Sequence, residues 1–331
     1  MSSKRTLAPL WVSLFLLVCL LGLGGYAYAQ RQHYPDVVTR ALLPALLVEA
    51  FLFLAHGLEA IRERIKGFSS PMIAAALFVT ALIPYFIYAI GSGTFSWISL
   101  AWLLAIAFPC SYYYVVLPHS DLADALLSAA LMVIILSDRF ALIYLPSAPK
   151  LPERILGDLM LARTTGISLL CIRQLPCAYG FIPTWKEFQI GIREFLFFLP
   201  IAGVLVYLTK FATIRTLGSP SETLLKIVAT AAGIHILVSL REELIVRGLL
   251  QPMMQRTLGS PALGMAVTSI LFGLLHLGFI RKWPHWDNWK MALLATAAGW
   301  FYGRAFAATN SVRAAMVTHT LTVVSWRVFL A

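Results

Sequence analysis

The feature that most limits what this chain can fold into is the recurrence of apolar runs near the roughly 20 residues that a bilayer core demands of a helix. Such runs lie at 7–29, 37–57, 71–90, 95–117, 122–136, 195–208, 224–240, 261–279, 291–308 and 312–330. Backbone polar groups inside lipid must be bonded internally, so helices are the only open-ended way across. Composition agrees. Of 331 residues, 60% are hydrophobic and 12% charged, against about 45–50% and about 25% in a soluble domain. Mean hydropathy is +0.80. A disordered chain, a charged nucleic-acid binder and a disulfide-stapled secreted module are all excluded. The expected fold is all-α, a polytopic integral membrane helical bundle of about eight to ten transmembrane helices.

The net charge of +11, from 26 Lys+Arg against 15 Asp+Glu, then reads as topology. Basic residues gather in short loops beside apolar runs, as the positive-inside rule expects. Lys4 and Arg5 put the N-terminus inside, and Arg62, Arg64 and Lys66 do the same for the end of the second run. Ala27-Tyr28-Ala29 resembles a signal-peptidase site. The apolar run before it exceeds a typical signal core and more spans follow, so an uncleaved first helix is expected. Cys19, Cys110, Cys171 and Cys177 offer no CxxC pair and no zinc spacing. The stretch 139–194 mixes Arg139, Lys150, Arg154, Arg163, Arg173, Lys186 and Arg193 with apolar and aromatic residues. It reads as an interfacial amphipathic segment with snorkelling cations. The expected organisation is an N-terminal transmembrane region over 1–194 and a second domain over 195–331.

Charges that interrupt apolar helices are informative, because each costs about 2.5–3.5 kcal/mol at the bilayer centre. The densest interruption holds His235, Ser239, Arg241, Glu242, Glu243 and Arg247. Glu243 and Arg247 are spaced i,i+4 and can pair along one helix face. Glu242 is turned about 100° away, and His235, seven residues earlier, returns close to its face. One glutamate is thereby held by an ion pair while the other is free to face a polar cavity as a general base. The plain alternative is an interfacial helix end. Two later apolar helices weigh against it. One carries Phe272 and His276 a turn apart, and the last carries His319. A carboxylate and two imidazoles on separate spans can meet in one buried pocket.

At these residues the sequence resembles a known family. EExxxR at Glu242, Glu243 and Arg247, FxxxH at Phe272 and His276, and a late-helix histidine at His319 look like the CPBP family of CAAX-processing and bacteriocin-processing intramembrane endopeptidases. The likeness spans about 221–330. It implies a glutamate-type peptidase of an integral multi-pass membrane protein, acting on a membrane-embedded or lipidated peptide or protein substrate and not on nucleic acid. It further implies that Glu242 activates water, that His276 helps hold it, and that His319 helps stabilise the oxyanion. Glu243, Arg247, Phe272 and His235 are expected in support. One position departs: where the family often has Asn, four residues after the last histidine, this chain has Val323. His319, a backbone N–H, Thr320 or Thr322 would then serve the oxyanion. No cofactor is expected. The alternative is zinc held by Glu242, His276 and His319, with His235 as a fourth ligand, although no HExxH motif is present. The expected location is a bacterial cytoplasmic membrane.

Glu49 and His56, seven apart on the second run, read as interhelical hydrogen bonding that holds the N-terminal bundle. Trp283, Trp286 and Trp289, with His285 and Asp287, read as an interfacial aromatic belt or a rim for docking substrate. Two other functions stay open at this point. One is a catalytically silent membrane scaffold or immunity protein that keeps the fold. The other is a proton-coupled transporter relaying through buried His and Glu.

Overall fold

The computed structural model describes residues 8–147, 151–277 and 288–330. Lys4, Arg5, Lys150, Trp283, His285, Trp286 and Asp287 lie outside the described residues. The helices run α1 Ala8–Arg31, α2 Val38–Gly57, α3 Glu59–Ile65, α4 Ser70–Ser92, α5 Trp97–Val116, α6 Asp121–Leu136, α7 Phe140–Ile143, α8 Ile155–Ile172 and α9 Trp185–Thr209. After them come α10 Pro220–Thr257, α11 Pro261–Leu275, α12 Asn288–Thr309 and α13 Val312–Phe329. Among the described residues no strand forms, only the isolated bridges Ala178–Ser311 and Ile214–Leu330. The fold is that of a polytopic helical membrane bundle.

Among the described residues seven helices are long and apolar enough to cross a bilayer: α1, α2, α4, α5, α8, α9 and α10. That is fewer than the eight to ten the apolar runs suggest. Helix α11 is apolar but shorter, and α12 and α13 are not in the set. The reason is visible in α13, which buries Thr318, His319 and Thr320. A helix that turns polar side chains toward an internal site gives up hydropathy.

Contacts along the chain define two compact units. The first comprises Met1–Pro118 and Asp138–Gln174, and the second His119–Ser137 and Leu175–Ala331. The unit that contains 195–331 thus also takes in α6 and the residues from 175 onward.

In the first unit, α8 corrects the sequence reading. The stretch 139–194 is not interfacial at its centre, because α8 has 89% of its apolar window buried. Arg163 does not snorkel and is 2% exposed. Its Nε donates to Glu49 Oε1 at 2.8 Å and its Nη2 to Glu49 Oε2 at 3.1 Å. Its Nη1 reaches Thr80 Oγ1 at 3.0 Å. A bidentate pair neutralises the arginine in place, so no escape to water is needed. This cluster joins α2, α4 and α8. Glu49 of the second run does bond across helices, to Arg163, whereas the His56 ring bonds within its own helix. His56 bonds the carbonyl of Phe53, and its own carbonyl accepts from Arg62 Nη1 at 2.8 Å.

In the second unit, α9 packs against α12 and α13, which also pack on each other, while α11 lies along α12. Both α9 and α10 open with sequence-legible capping boxes, Thr184 with Glu187 and Ser219 with Glu222. The Glu187 carboxylate also accepts from Arg313 Nη2 at 2.9 Å, which ties the start of α9 to the start of α13. Close approach of α11 and α12 depends on Gly273. A Cβ there would lie 1.8 Å from Thr296 Oγ1 and 2.5 Å from the Ala292 carbonyl oxygen. Since the carbonyl belongs to the backbone, the helices must separate to admit a methyl. Gly273→Ala is therefore expected to destabilise the protein by about 1–3 kcal/mol, the range for overpacking. A lowered unfolding midpoint in detergent would show it, and an unchanged midpoint would contradict the packing.

Candidate active site

Helix α10 supplies the carboxylates, and its geometry is irregular where they sit. Ile234–Ser239 and Leu244–Leu250 are π-helical, flanking a short α-helical turn at Leu240–Glu243. Glu242 and Glu243 are thus in the middle of a 38-residue helix, not at its end. Widened π turns recur at functional sites, and here they change the phase of the helix.

The adjacent glutamates have separate environments. Glu243 is fully buried, with Oε2 accepting from Arg247 Nε at 3.2 Å. Its Oε1 lies 2.7 Å from His319 Nδ1. The i,i+4 pair expected from spacing is present, and the same carboxylate also orients the histidine of α13. Arg247 is equally buried. Its Nη1 donates to Gln251 Oε1 at 3.1 Å, and Gln251 Nε2 donates to the Gly303 carbonyl at 3.3 Å. The Arg247 guanidinium also lies over the Phe272 ring, 5.6 Å from its centroid.

Glu242 is different. Its side chain is 24% exposed, and Oε2 stands 3.9 Å from His319 Nε2, too far for a direct hydrogen bond. It opens onto a cavity of about 280 Å³ whose wall includes Phe272, His276, Tyr302, His319 and Val323. A second cavity of about 220 Å³, bounded by Met132, Ile135 and Leu136 of α6, also reaches Glu242, Phe272 and His276. Polar groups separated by this distance commonly share a water, and one oxygen can sit within bonding reach of both Glu242 and His319.

The tautomers follow from the partners. A carbonyl only accepts, so His276 Nδ1 donates to the Phe272 carbonyl at 2.9 Å and leaves Nε2 as an acceptor. His319 Nδ1 donates to the Glu243 carboxylate in the same way, which leaves Nε2 turned toward Glu242. Phe272 braces both imidazoles, with ring centroids 4.8 Å from His276 and 6.0 Å from His319.

His235 is not on the cavity wall. Its Nε2 donates to the Phe181 carbonyl at 2.9 Å, and its Nδ1 accepts from Thr320 Oγ1 at 3.0 Å. The π-helical stretch between His235 and Glu242 breaks the seven-residue phase that put them on one face. His235 instead pins α10 to the residue after His319. With both ring nitrogens committed it is a poor fourth ligand for zinc. Among the described residues no group of three or more His, Cys, Asp or Glu is arranged to hold a metal ion.

Two residues of the site escaped the sequence reading. Gln251 had a usable signal, standing four residues beyond Arg247 on the same helix. Tyr302 had none, being one aromatic among many on an apolar helix. Its ring stacks on His319 at 4.7 Å and 11°.

No curated protein and no solved structure matches the chain. The stretch holding both glutamates, Arg247, Phe272, both cavity histidines and Tyr302 does match a family: residues 224–325 are similar to the type II CAAX prenyl endopeptidases, Rce1-like.

Proposed function

We propose that the protein is an intramembrane endopeptidase in which Glu242 activates water to hydrolyse a peptide bond of a membrane-embedded or lipidated substrate. The observation that carries this reading is the division of labour between adjacent carboxylates. Glu243 is buried and bonded on both oxygens, whereas Glu242 faces a cavity that also holds two imidazoles. A base needs that freedom, and a positioning residue needs the opposite.

In the proposed step, water lies between Glu242 and His319, and His276 Nε2 offers a further acceptor. Glu242 takes a proton as the water oxygen bonds to the substrate carbonyl carbon. The C–N bond then breaks, and the same proton passes to the leaving amine. Arg247 pairs with Glu243, and Glu243 holds the His319 ring. No step passes through a metal ion. The family description supports a prenylated protein as the substrate class.

The test is a comparison of membrane-protein termini in cells carrying wild-type or Glu242→Ala protein. New N- and C-termini that depend on Glu242 are expected, on membrane-associated proteins. Identical termini in the two strains would refute the reading and favour a silent scaffold.

A further inference from the structure

A cation on a lipid-facing helix surface needs an anion to meet it, and α9 carries one. Its exposed stripe runs through Phe197, 51% exposed, and Val204, 56% exposed, one and three turns beyond Arg193. The Arg193 side chain opens that stripe and is itself 52% exposed. Glu194, the next residue, is turned inward and is only 1% exposed. Arg193 Nε and Nη2 both donate to Glu194 Oε1, at 3.1 and 2.7 Å. From α12, Arg304 brings a second guanidinium, with Nε 2.9 Å from Glu194 Oε2. One buried carboxylate thus holds two arginines side by side and neutralises the charge of one.

We propose that Arg193 and Arg304 form a binding site for the phosphate of an anionic membrane phospholipid. Their level in the bilayer supports it. No charged residue lies between Glu194 and Lys210, and at roughly 1.5 Å per residue Arg193 and Lys210 are about 25 Å apart along α9. That distance approaches the roughly 30 Å of a hydrocarbon core, which puts both guanidiniums at its edge, where lipid phosphates begin. Donors are also left over. Arg193 Nη1 and both Nη groups of Arg304 have no partner among the described residues. The Arg304 guanidinium is held over the rings of Phe197 and Phe301, 5.7 and 5.5 Å from their centroids, while its side chain stays 41% exposed. A planar guanidinium fixed in this way offers paired N–H groups that match phosphate oxygens. The surplus positive charge selects a lipid of net negative charge over a zwitterionic one, whose phosphate is balanced by its own ammonium. One acyl chain then follows the stripe from Phe197 to Val204. The site shares no residue with the walls of the cavities at Glu242 and does not rest on the hydrolytic reading.

The experiment titrates the full-length protein in detergent micelles with phosphatidylglycerol and, separately, with phosphatidylcholine, counting bound lipid by native mass spectrometry. Wild type is expected to hold one phosphatidylglycerol more tightly than any phosphatidylcholine. Arg193→Gln and Arg304→Gln should each raise the dissociation constant for phosphatidylglycerol about fivefold, the worth of one cation beside an anionic lipid. Each variant leaves Glu194 one arginine, which keeps its buried carboxylate paired. Should a glutamine variant fail to fold, the lysine variant at that position keeps the charge, loses the paired donors and is still expected to bind more weakly. Arg154→Gln removes an equally exposed arginine, 52%, from the first unit and should leave the constant unchanged. An unchanged constant in the variants at 193 and 304, or an equal rise in Arg154→Gln, overturns the proposal. Displacement of the lipid by inorganic phosphate at low millimolar concentration assigns the pair to a free anion and overturns the lipid as its ligand.

Discussion

Glu242→Gln is expected to slow peptide hydrolysis by about 10³–10⁴-fold, toward the upper end of what one general base supplies, while leaving the unfolding midpoint of the protein unchanged. The rate loss follows from chemistry. The amide is the same size as the carboxylate but cannot take a proton from water, and that range corresponds to about 4–5.5 kcal/mol of barrier. The unchanged stability follows from geometry. Glu242 Oε2 stands 3.9 Å from His319 Nε2, beyond hydrogen-bond reach, and its side chain stays 24% exposed. The neighbouring glutamate provides the control. Glu243→Gln removes the partner of a fully buried Arg247 and of His319 together, so rate and stability should fall jointly. Purified variants, assayed side by side for cleavage and for thermal unfolding, separate the two roles. Equal stability losses in both variants would mean that Glu242 is structural.

The largest effect on stability is expected far along the chain from these residues. Arg163→Met should destabilise the first unit by about 3–5 kcal/mol, because it leaves the Glu49 carboxylate buried without its partner. Glu49 is 0% exposed and both its oxygens are bonded to Arg163. The pair itself is a weaker source of stability than this number suggests, since desolvating two charges offsets much of their attraction. The double variant Glu49→Leu/Arg163→Met should therefore recover most of the loss. Unfolding midpoints of the two single variants and the double variant in detergent complete the cycle. A double variant no more stable than Arg163→Met would show that Arg163 acts through packing with α4, not through Glu49.

These two sites differ in how far they could be read in advance. The spacing of Glu243 and Arg247 is a property of one helix, and the ion pair appears as that spacing predicts. Glu242 turns away from it for the same local reason. By contrast, Glu49 and Arg163 are 114 residues apart. A row of scattered cations in 139–194 gave no indication which of them would be buried, and the reading placed Arg163 at an interface. His235 failed differently. An ideal helical phase carried it to the face of Glu242, but the π-helical residues Ile234–Ser239 shifted that phase and turned it to Phe181 and Thr320.

By itself the sequence determined the class of the protein, an integral membrane bundle, because the apolar runs are a property of composition over about 20 residues at a time. It also singled out Glu242, His276 and His319, which the structure brings to one cavity wall, since so few polar groups interrupt those runs that each one stands out. Tertiary structure alone decided who meets whom: His319 on Glu243 from 76 residues away, Tyr302 flat on His319, and α6 on the wall beside Glu242. The physical reason is the range of the forces concerned. Helix formation and i,i+4 pairing are settled within a few turns, whereas stacking, buried pairing and cavity shape depend on which helices pack together. That packing completes what the local spacing of one helix begins, leaving Glu242 open to a cavity and Glu243 buried between Arg247 and His319.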